Sequence, residues 1–218
     1  MGKYNEVKQQ AIGFLGGSFD PIHNGHLLPA IEVATKLQLK QLFFMPNHIA
    51  PHKAGSHCSA RQRCEMVKLA LAEHKQLQID ERELNRDSAS YTIDTLKEIR
   101  AEHPTQPICF MMGMDSLINF NSWYQWQDIL NYCHLVVCFR PGWKNSFNET
   151  VQTLLNNQQT DNVDDLHQQL SGKIYFQPTM QYDISSTHIR SNIKYNKSIG
   201  SLLPKTVGDY IELHQLYK

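Results

Sequence analysis

The sequence predicts an α/β domain with a doubly wound parallel sheet, helices covering both of its faces. Three observations point there. Short apolar runs alternate with amphipathic stretches, so strand and helix follow one another along the chain. A Gly-Gly turn directly follows the first apolar run, where sheets of this kind bind their ligands. A chain of 218 residues with 41% hydrophobic side chains can bury one large core. No internal repeat or linker divides it. Residues 1–218 are therefore read as a single domain, with 185–218 a helical C-terminal subregion.

Strands are expected at "AIGFL" (11–15), "QLFFM" (41–45), "LQID" (77–80), "ICFMM" (108–112), "HLVVCF" (134–139) and "KIYF" (173–176). Between the first two, Leu27, Ile31, Ala34 and Leu37 recur at helical spacing. Ser59 is a candidate N-cap for the next helix, which aligns Cys64, Val67 and Leu71. Ile93, Leu96 and Ile99 mark a third apolar face. The stretch 144–169 is Asn- and Gln-rich ("NNQQTDNVDD") and reads as a surface excursion. Pro204 stands near the start of the last expected helix.

Composition narrows the function classes. Lys plus Arg and Asp plus Glu both number 21, so the formal net charge is zero and any anion site must be local. No apolar run approaches the roughly 20 residues of a membrane span, and the first residues lack the apolar run of a signal peptide. The five cysteines are odd in number and form no CxxC, as expected of free thiols in a reducing compartment. A cytoplasmic protein is expected.

The densest chemistry lies in "GFLGGSFDPIHNGHL" (13–27). Gly16 and Gly17 are expected to end the strand, permit positive φ and let a ligand approach the backbone. Ser18 adds a hydroxyl, and Pro21 stiffens the turn. A helix beginning near residues 23–25 would present its first amides and dipole to an anion. His23 and His26 are three residues apart, so both can donate to one phosphate from one side of that turn. No third ligand for a metal is evident beside them. The GxGxxG fingerprint is absent, which speaks against an oxidoreductase. A second string, "ISSTHIR" (184–190), reads as another helix start. Ser185 or Ser186 can cap it, and the hydroxyls of Ser186 and Thr187 join the first-turn amides as an anion site. Arg190 follows one turn later with a planar fork suited to phosphate. Alone this is a capped helix with a surface arginine.

These two strings, HxGH and ISSTxIR, resemble the signatures of the nucleotidylyltransferase superfamily. Further stretches are similar to its nicotinate-nucleotide adenylyltransferase family: "PNHIAPHK" (46–53), residues 80–100, "MGMDSL" (112–117), "SWYQW" (122–126) and "VVCFRPG" (136–142). The resemblance extends over about residues 12–213 and implies a Rossmann-like fold. It implies adenylyl transfer from ATP to nicotinate mononucleotide in NAD biosynthesis, with Mg²⁺ carried mainly on substrate phosphates and water. No nucleic-acid or membrane partner is implied. His23, His26 and Arg190 would be catalytic. Gly16, Gly17, Ser18, Phe19, Lys53, Asp115, Arg140, Ser186 and Thr187 would bind ATP. Tyr91, Thr92 and Ile93 would receive the pyridine carboxylate on backbone amides, while Trp123, with Tyr124 beside it, would stack on the pyridine ring. No protein residue is assigned to the metal. Lys53 reads equally as a solvated loop lysine, and Asp115 also fits a helix N-cap with Ser116. The sequence departs from the family pattern at Ser18, often threonine, at Met114, commonly polar, and at Ala50, commonly proline. The group Cys133, His134 and Cys138 reads as buried packing, and His52, His57 and Cys58 as part of a substrate loop. Two alternatives stay open: a related adenylyltransferase taking nicotinamide mononucleotide or phosphopantetheine, and a nucleotide sensor without turnover.

Overall fold

The computed structural model describes residues 9–48, 57–86, 90–139, 146–180 and 182–218. Its strands are β1 (Ile12–Gly17), β2 (Leu42–Pro46), β3 (Leu77–Ile79), β4 (Ile108–Gly113), β5 (His134–Phe139), β6 (Gln159–Thr160) and β7 (Ile174–Pro178). They form one parallel sheet in the order β3-β2-β1-β4-β5-β7-β6. The helices are α1 (Asn24–Lys36), α2 (Ala60–Leu71), α3 (Thr92–Glu102), α4 (Met114–Ile118), α5 (Trp126–Tyr132), α6 (Glu149–Gln158), α7 (Asp165–Gln168), α8 (Ser186–Lys194) and α9 (Lys205–Leu213).

The strands bury both faces, and the period of two sorts their side chains. Phe44, Cys109, Met111 and Val136 pack with Leu27, Val33, Val67, Val207 and Ile211 from α1, α2 and α9. Phe14, Phe110, Met112 and Val137 pack on the other side with Ile93, Leu96, Leu117 and Ile129 from α3, α4 and α5. Each amphipathic helix expected from the sequence therefore covers one sheet face. Ser59 caps α2 in a full capping box with Gln62, and Pro204 is the residue before α9. Strand order reverses between β1 and β4, which feed α1 and α4 on opposite faces. A crevice at their carboxyl ends is the geometric consequence.

Two expectations need correction. Gly16 and Gly17 do not end the first strand; they belong to β1 and pair with Met45 and Pro46. The positive φ falls instead on Phe19, at 48°. Gly17 is required by space: a Cβ there would lie 2.8 Å from the Phe19 ring, which folds back into the core. The stretch 144–169, expected as a surface excursion, contributes α6, β6 and α7 to the domain. Val151, Leu155 and Leu166 are buried, and the His167 ring accepts the Ala11 N–H at 3.0 Å while Nε2 lies 2.9 Å from the Leu37 carbonyl. The glutamines and asparagines that dominate its composition occupy the outer faces. Among the described residues no helix is long and apolar enough to cross a membrane.

Candidate active site

A cavity of about 1000 Å³ opens at the carboxyl ends of β1 and β4, where the strand order reverses. The segment after β1, the start of α1, the start of α4 and the start of α8 form its walls. His23 is the N-cap of α1, but its side chain does not cap the helix. It is buried and stacks on His26, with ring centroids 3.7 Å apart. His26 also meets the Phe19 ring edge-on at 5.3 Å. The His23 Nδ1 is buried with no hydrogen-bond partner among the described residues. Burial pushes the His23 pKa down to about 4, so at neutral pH the ring is uncharged. Gly25 is what lets these parts meet. A Cβ there would stand 3.0 Å from the His23 ring and 3.2 Å from the Ile184 carbonyl, just before α8.

The amides of α1 are less open than the sequence suggests. Asn24 N–H bonds the Leu202 carbonyl at 2.9 Å, and His26 N–H bonds the His23 carbonyl at 2.8 Å. The imidazoles, rather than a ring of bare amides, therefore face the cavity at this helix start.

The second helix start is pinned to the first. Ser185 caps α8, accepting from His188 N–H at 3.1 Å. The Ser186 hydroxyl donates to the Pro21 carbonyl at 3.0 Å, so it fastens the two segments. Arg190 Nη1 donates to the Asp20 carbonyl at 2.7 Å, and Nη2 to the Thr187 hydroxyl at 3.3 Å. Arg190 and His26 line one cavity despite lying 164 positions apart in sequence (190 − 26).

Asp20 lies at this junction. Its carboxylate accepts from His57 N–H at 2.8 Å, Tyr217 O–H at 2.8 Å and Cys58 S–H at 3.1 Å. Burial alone would raise its pKa. The donors at His57, Tyr217 and Cys58, with the charge of Arg190, hold it below the usual range. Arg63 is fully buried beneath the loop and donates to the carbonyls of Ser18 and Asn47, each at 2.6 Å. It thereby ties together the segments that follow β1 and β2. Sequence reading missed Asp20, Arg63 and Tyr217. Arg63 had left a signal: it shares the apolar stripe of α2 with Val67 and Ala70, an odd place for a charge.

Asp115 is exposed in the first turn of α4 and borders the same cavity. Gly113, not Asp115, is the N-cap of that helix. Met114 turns into the core and is not among the residues that line this cavity. A second pocket of about 330 Å³ adjoins the first and shares Gly16, Gly17, Ser18 and Ser116 with it. Its walls carry Trp123, Tyr124, Tyr91 and Thr92. Trp123 is braced by Phe120 and Phe110, at centroid distances of 5.6 and 6.3 Å. α3 begins at Thr92 with no side-chain cap on its first turn. The Ile93 side chain is fully buried in the core, so only its backbone could meet a ligand. Glu83, not anticipated from sequence, also lines this pocket. It accepts from the Thr95 hydroxyl at 2.7 Å, and burial pushes its pKa up.

Lys53 and Arg140 lie outside the described residues, as do His52 and Ala50. The Cys133, His134 and Cys138 group is structural in geometry. His134 Nε2 lies 2.8 Å from the Gln169 carbonyl, and Nδ1 accepts Lys173 N–H at 3.0 Å, so both ring nitrogens are occupied.

Fold and cleft together define a class: a doubly wound, all-parallel α/β protein with an open cleft at the sheet's switch point. Comparison with known proteins agrees. Residues 14–192 match the cytidylyltransferase-like family. A relative from Psychromonas ingrahamii, described as "Probable nicotinate-nucleotide adenylyltransferase", is 57% identical over 213 residues, 98% of this chain and 100% of its own. One of the same description from Aeromonas hydrophila is 47% identical, covering 95% of this chain and 97% of its own. The structure of Plasmodium falciparum nicotinic acid mononucleotide adenylyltransferase complexed with NaAD shares the fold, with a TM-score of 0.71 at 20% identity over 95% of this chain and 97% of that one. The chain belongs to the cytidylyltransferase-like family and, within it, to the nicotinate-nucleotide adenylyltransferases.

Proposed function

We infer that the chain transfers the adenylyl group of ATP to nicotinate mononucleotide, forming nicotinate adenine dinucleotide and releasing pyrophosphate. The observation that carries this is one continuous cleft. Its larger part joins paired imidazoles to Arg190, and its smaller part is walled by Trp123, Tyr124 and the start of α3. With family membership, that supports a triphosphate in the first and a pyridine nucleotide in the second.

In the reaction a phosphate oxygen of the mononucleotide attacks the α-phosphorus of ATP. The bond from that phosphorus to the bridging oxygen breaks, and pyrophosphate leaves with the electron pair. No protein nucleophile is needed, so the residues align the substrates and stabilise charge. His23, held neutral, offers a hydrogen bond without bringing charge into a buried site. His26, stacked against it, faces the same phosphates. Arg190 keeps part of its fork on Asp20 and Thr187 and has further N–H groups for the triphosphate. Gly16, Gly17, Ser18 and Phe19 shape the floor beneath it, and Ser186 and Thr187 the opposite wall. Asp115, exposed at the cleft, would accept from a ribose hydroxyl. Trp123 supplies a flat face for the pyridine ring, with Tyr124 at the rim and the amides of Tyr91, Thr92 and Ile93 toward its carboxylate. That both ends of the chain build one cleft supports the single-domain reading, and five free cysteines support a cytoplasmic setting.

Mg²⁺ fits this donor set as an ion carried on substrate phosphates. Among the described residues no cluster of three or more His, Cys, Asp or Glu forms a cage. The Asp20 carboxylate is engaged by its three donors, while Asp115 is exposed at the cleft. Carried on those phosphates, the ion would offset negative charge on the leaving pyrophosphate.

Pyrophosphate release tests the reading, with ATP, Mg²⁺ and one acceptor at a time. Nicotinate mononucleotide should give the highest kcat/KM, at least about tenfold above nicotinamide mononucleotide and phosphopantetheine, as one lost charged contact implies. Equal rates with another acceptor, or no release with any, would overturn it.

A further inference from the structure

We propose that the Tyr217 hydroxyl is a positioning group for adenylyl transfer. By holding the Asp20 carboxylate, it fixes the turn that anchors Arg190 and leads into His23. The proposal rests on the function inferred above and adds a residue from beyond α9 to it.

Residues 20 and 21 form a junction. The Asp20 carbonyl receives Arg190 at 2.7 Å, and the Pro21 carbonyl receives Ser186 at 3.0 Å. The Asp20 side chain bonds Tyr217, Cys58 and the His57 amide. Tyr217 O–H and Cys58 S–H both reach Oδ1, at 2.8 and 3.1 Å, and the two donors lie 3.1 Å from each other. Tyr217 itself takes φ of +65°, uncommon for a bulky residue, and Leu216 is buried before it. The chain turns sharply here, and the turn delivers the hydroxyl to Asp20.

A carboxylate beside a triphosphate is harmful unless its charge is satisfied elsewhere. Without Tyr217 O–H, Oδ1 keeps only a thiol, a weak donor. The carboxylate then competes with ATP for Arg190, the cation whose charge already acts on it. Triphosphate affinity should fall, while the part of the pyridine pocket that the cavity does not share, at Trp123, Tyr124, Tyr91 and Thr92, should not change.

The test is Tyr217→Phe, Asp20→Asn and the double variant, read by steady-state kinetics, melting temperature and calorimetric binding of a non-hydrolysable ATP analogue. Tyr217→Phe should raise the KM for ATP about tenfold, the scale of one hydrogen bond to a charged group. The KM for nicotinate mononucleotide should stay within about twofold, and binding of the analogue should weaken in parallel. In the Asp20→Asn background, where no charge competes for Arg190, adding Tyr217→Phe should have little further effect on ATP. Equal shifts in both KM values, a fall in melting temperature with unchanged ATP binding, or effects that multiply independently would each overturn the proposal. Wild-type protein that binds the analogue but does not use nicotinate mononucleotide would refute the function reading alone, and the binding series would still decide the role of Tyr217.

Discussion

His23 combines two properties that rarely coexist. It is buried and stacked on a second imidazole, yet one ring nitrogen has no partner among the described residues. A buried polar atom of that kind is costly unless a ligand completes it. His23→Ala or His26→Ala should lower kcat by about 10²-fold or more, the scale of a lost preorganised donor. Near-normal turnover in purified variants would remove both from the catalytic assignment. Arg63 acts on the same loop from below. Arg63→Lys cannot span the Ser18 and Asn47 carbonyls, and leaving one unpaired should destabilise the fold by about 1–3 kcal/mol. A denaturant midpoint indistinguishable from wild type would show that the fork carries no such load. In the adjoining pocket, Trp123→Ala should raise the KM for nicotinate mononucleotide more than that for ATP. Equal effects would move the pyridine ring elsewhere.

At the scale of elements, the paired starts of α1 and α8 were legible because their residue types recur at fixed spacing. Imidazoles three apart share one face, and serine before a helix caps it. What was not legible was how those groups would be spent. Asn24 N–H goes to Leu202 and the Ser186 hydroxyl to Pro21, partners set by tertiary packing that no local pattern encodes. The strand end and positive φ expected at Gly16 and Gly17 fail for a related reason: Gly17 makes room for the ring of Phe19. α6 and α7 were hidden by composition, since a few buried aliphatics suffice to seat a helix among polar neighbours. The cap of α2 stands between Cys58 and Ala60, which line the cavity, but its own hydrogen bonds stay within the helix start. Ser59→Ala should cost about 1 kcal/mol in unfolding free energy, with both KM values unchanged in steady-state assays. A kinetic change without loss of stability would tie α2 to the site in a way its cap does not explain.

At the scale of the molecule, alternating apolar runs sufficed to foresee a doubly wound sheet, but not its strand order, which non-local pairing decides. The order matters because it places the crevice between β1 and β4. Buried histidines also set how the fold responds to acid. His23 and His134 are each pushed down to about 4 from the usual 6.5 by burial. Between these values the unfolded chain binds protons that the native state refuses, so stability rises with pH through that window. It is complete above about 6.5 and is lost as pH falls toward 4. Melting temperature should therefore drop steadily from pH 6.5 to 4. His134→Asn should flatten that slope, although it lowers stability at neutral pH, because protonating His134 would sacrifice its bond from Lys173. An unchanged slope in the variant would place the acid sensitivity elsewhere.

Two helix starts from opposite ends of the chain share one ligand in this description, and a crystal structure with a non-hydrolysable ATP analogue tests that most directly. The triphosphate should lie in the cleft between β1 and β4, contacted by His23 or His26 on one side and Arg190 on the other. A triphosphate held by only one of these helix starts, or bound outside the cleft, would contradict it.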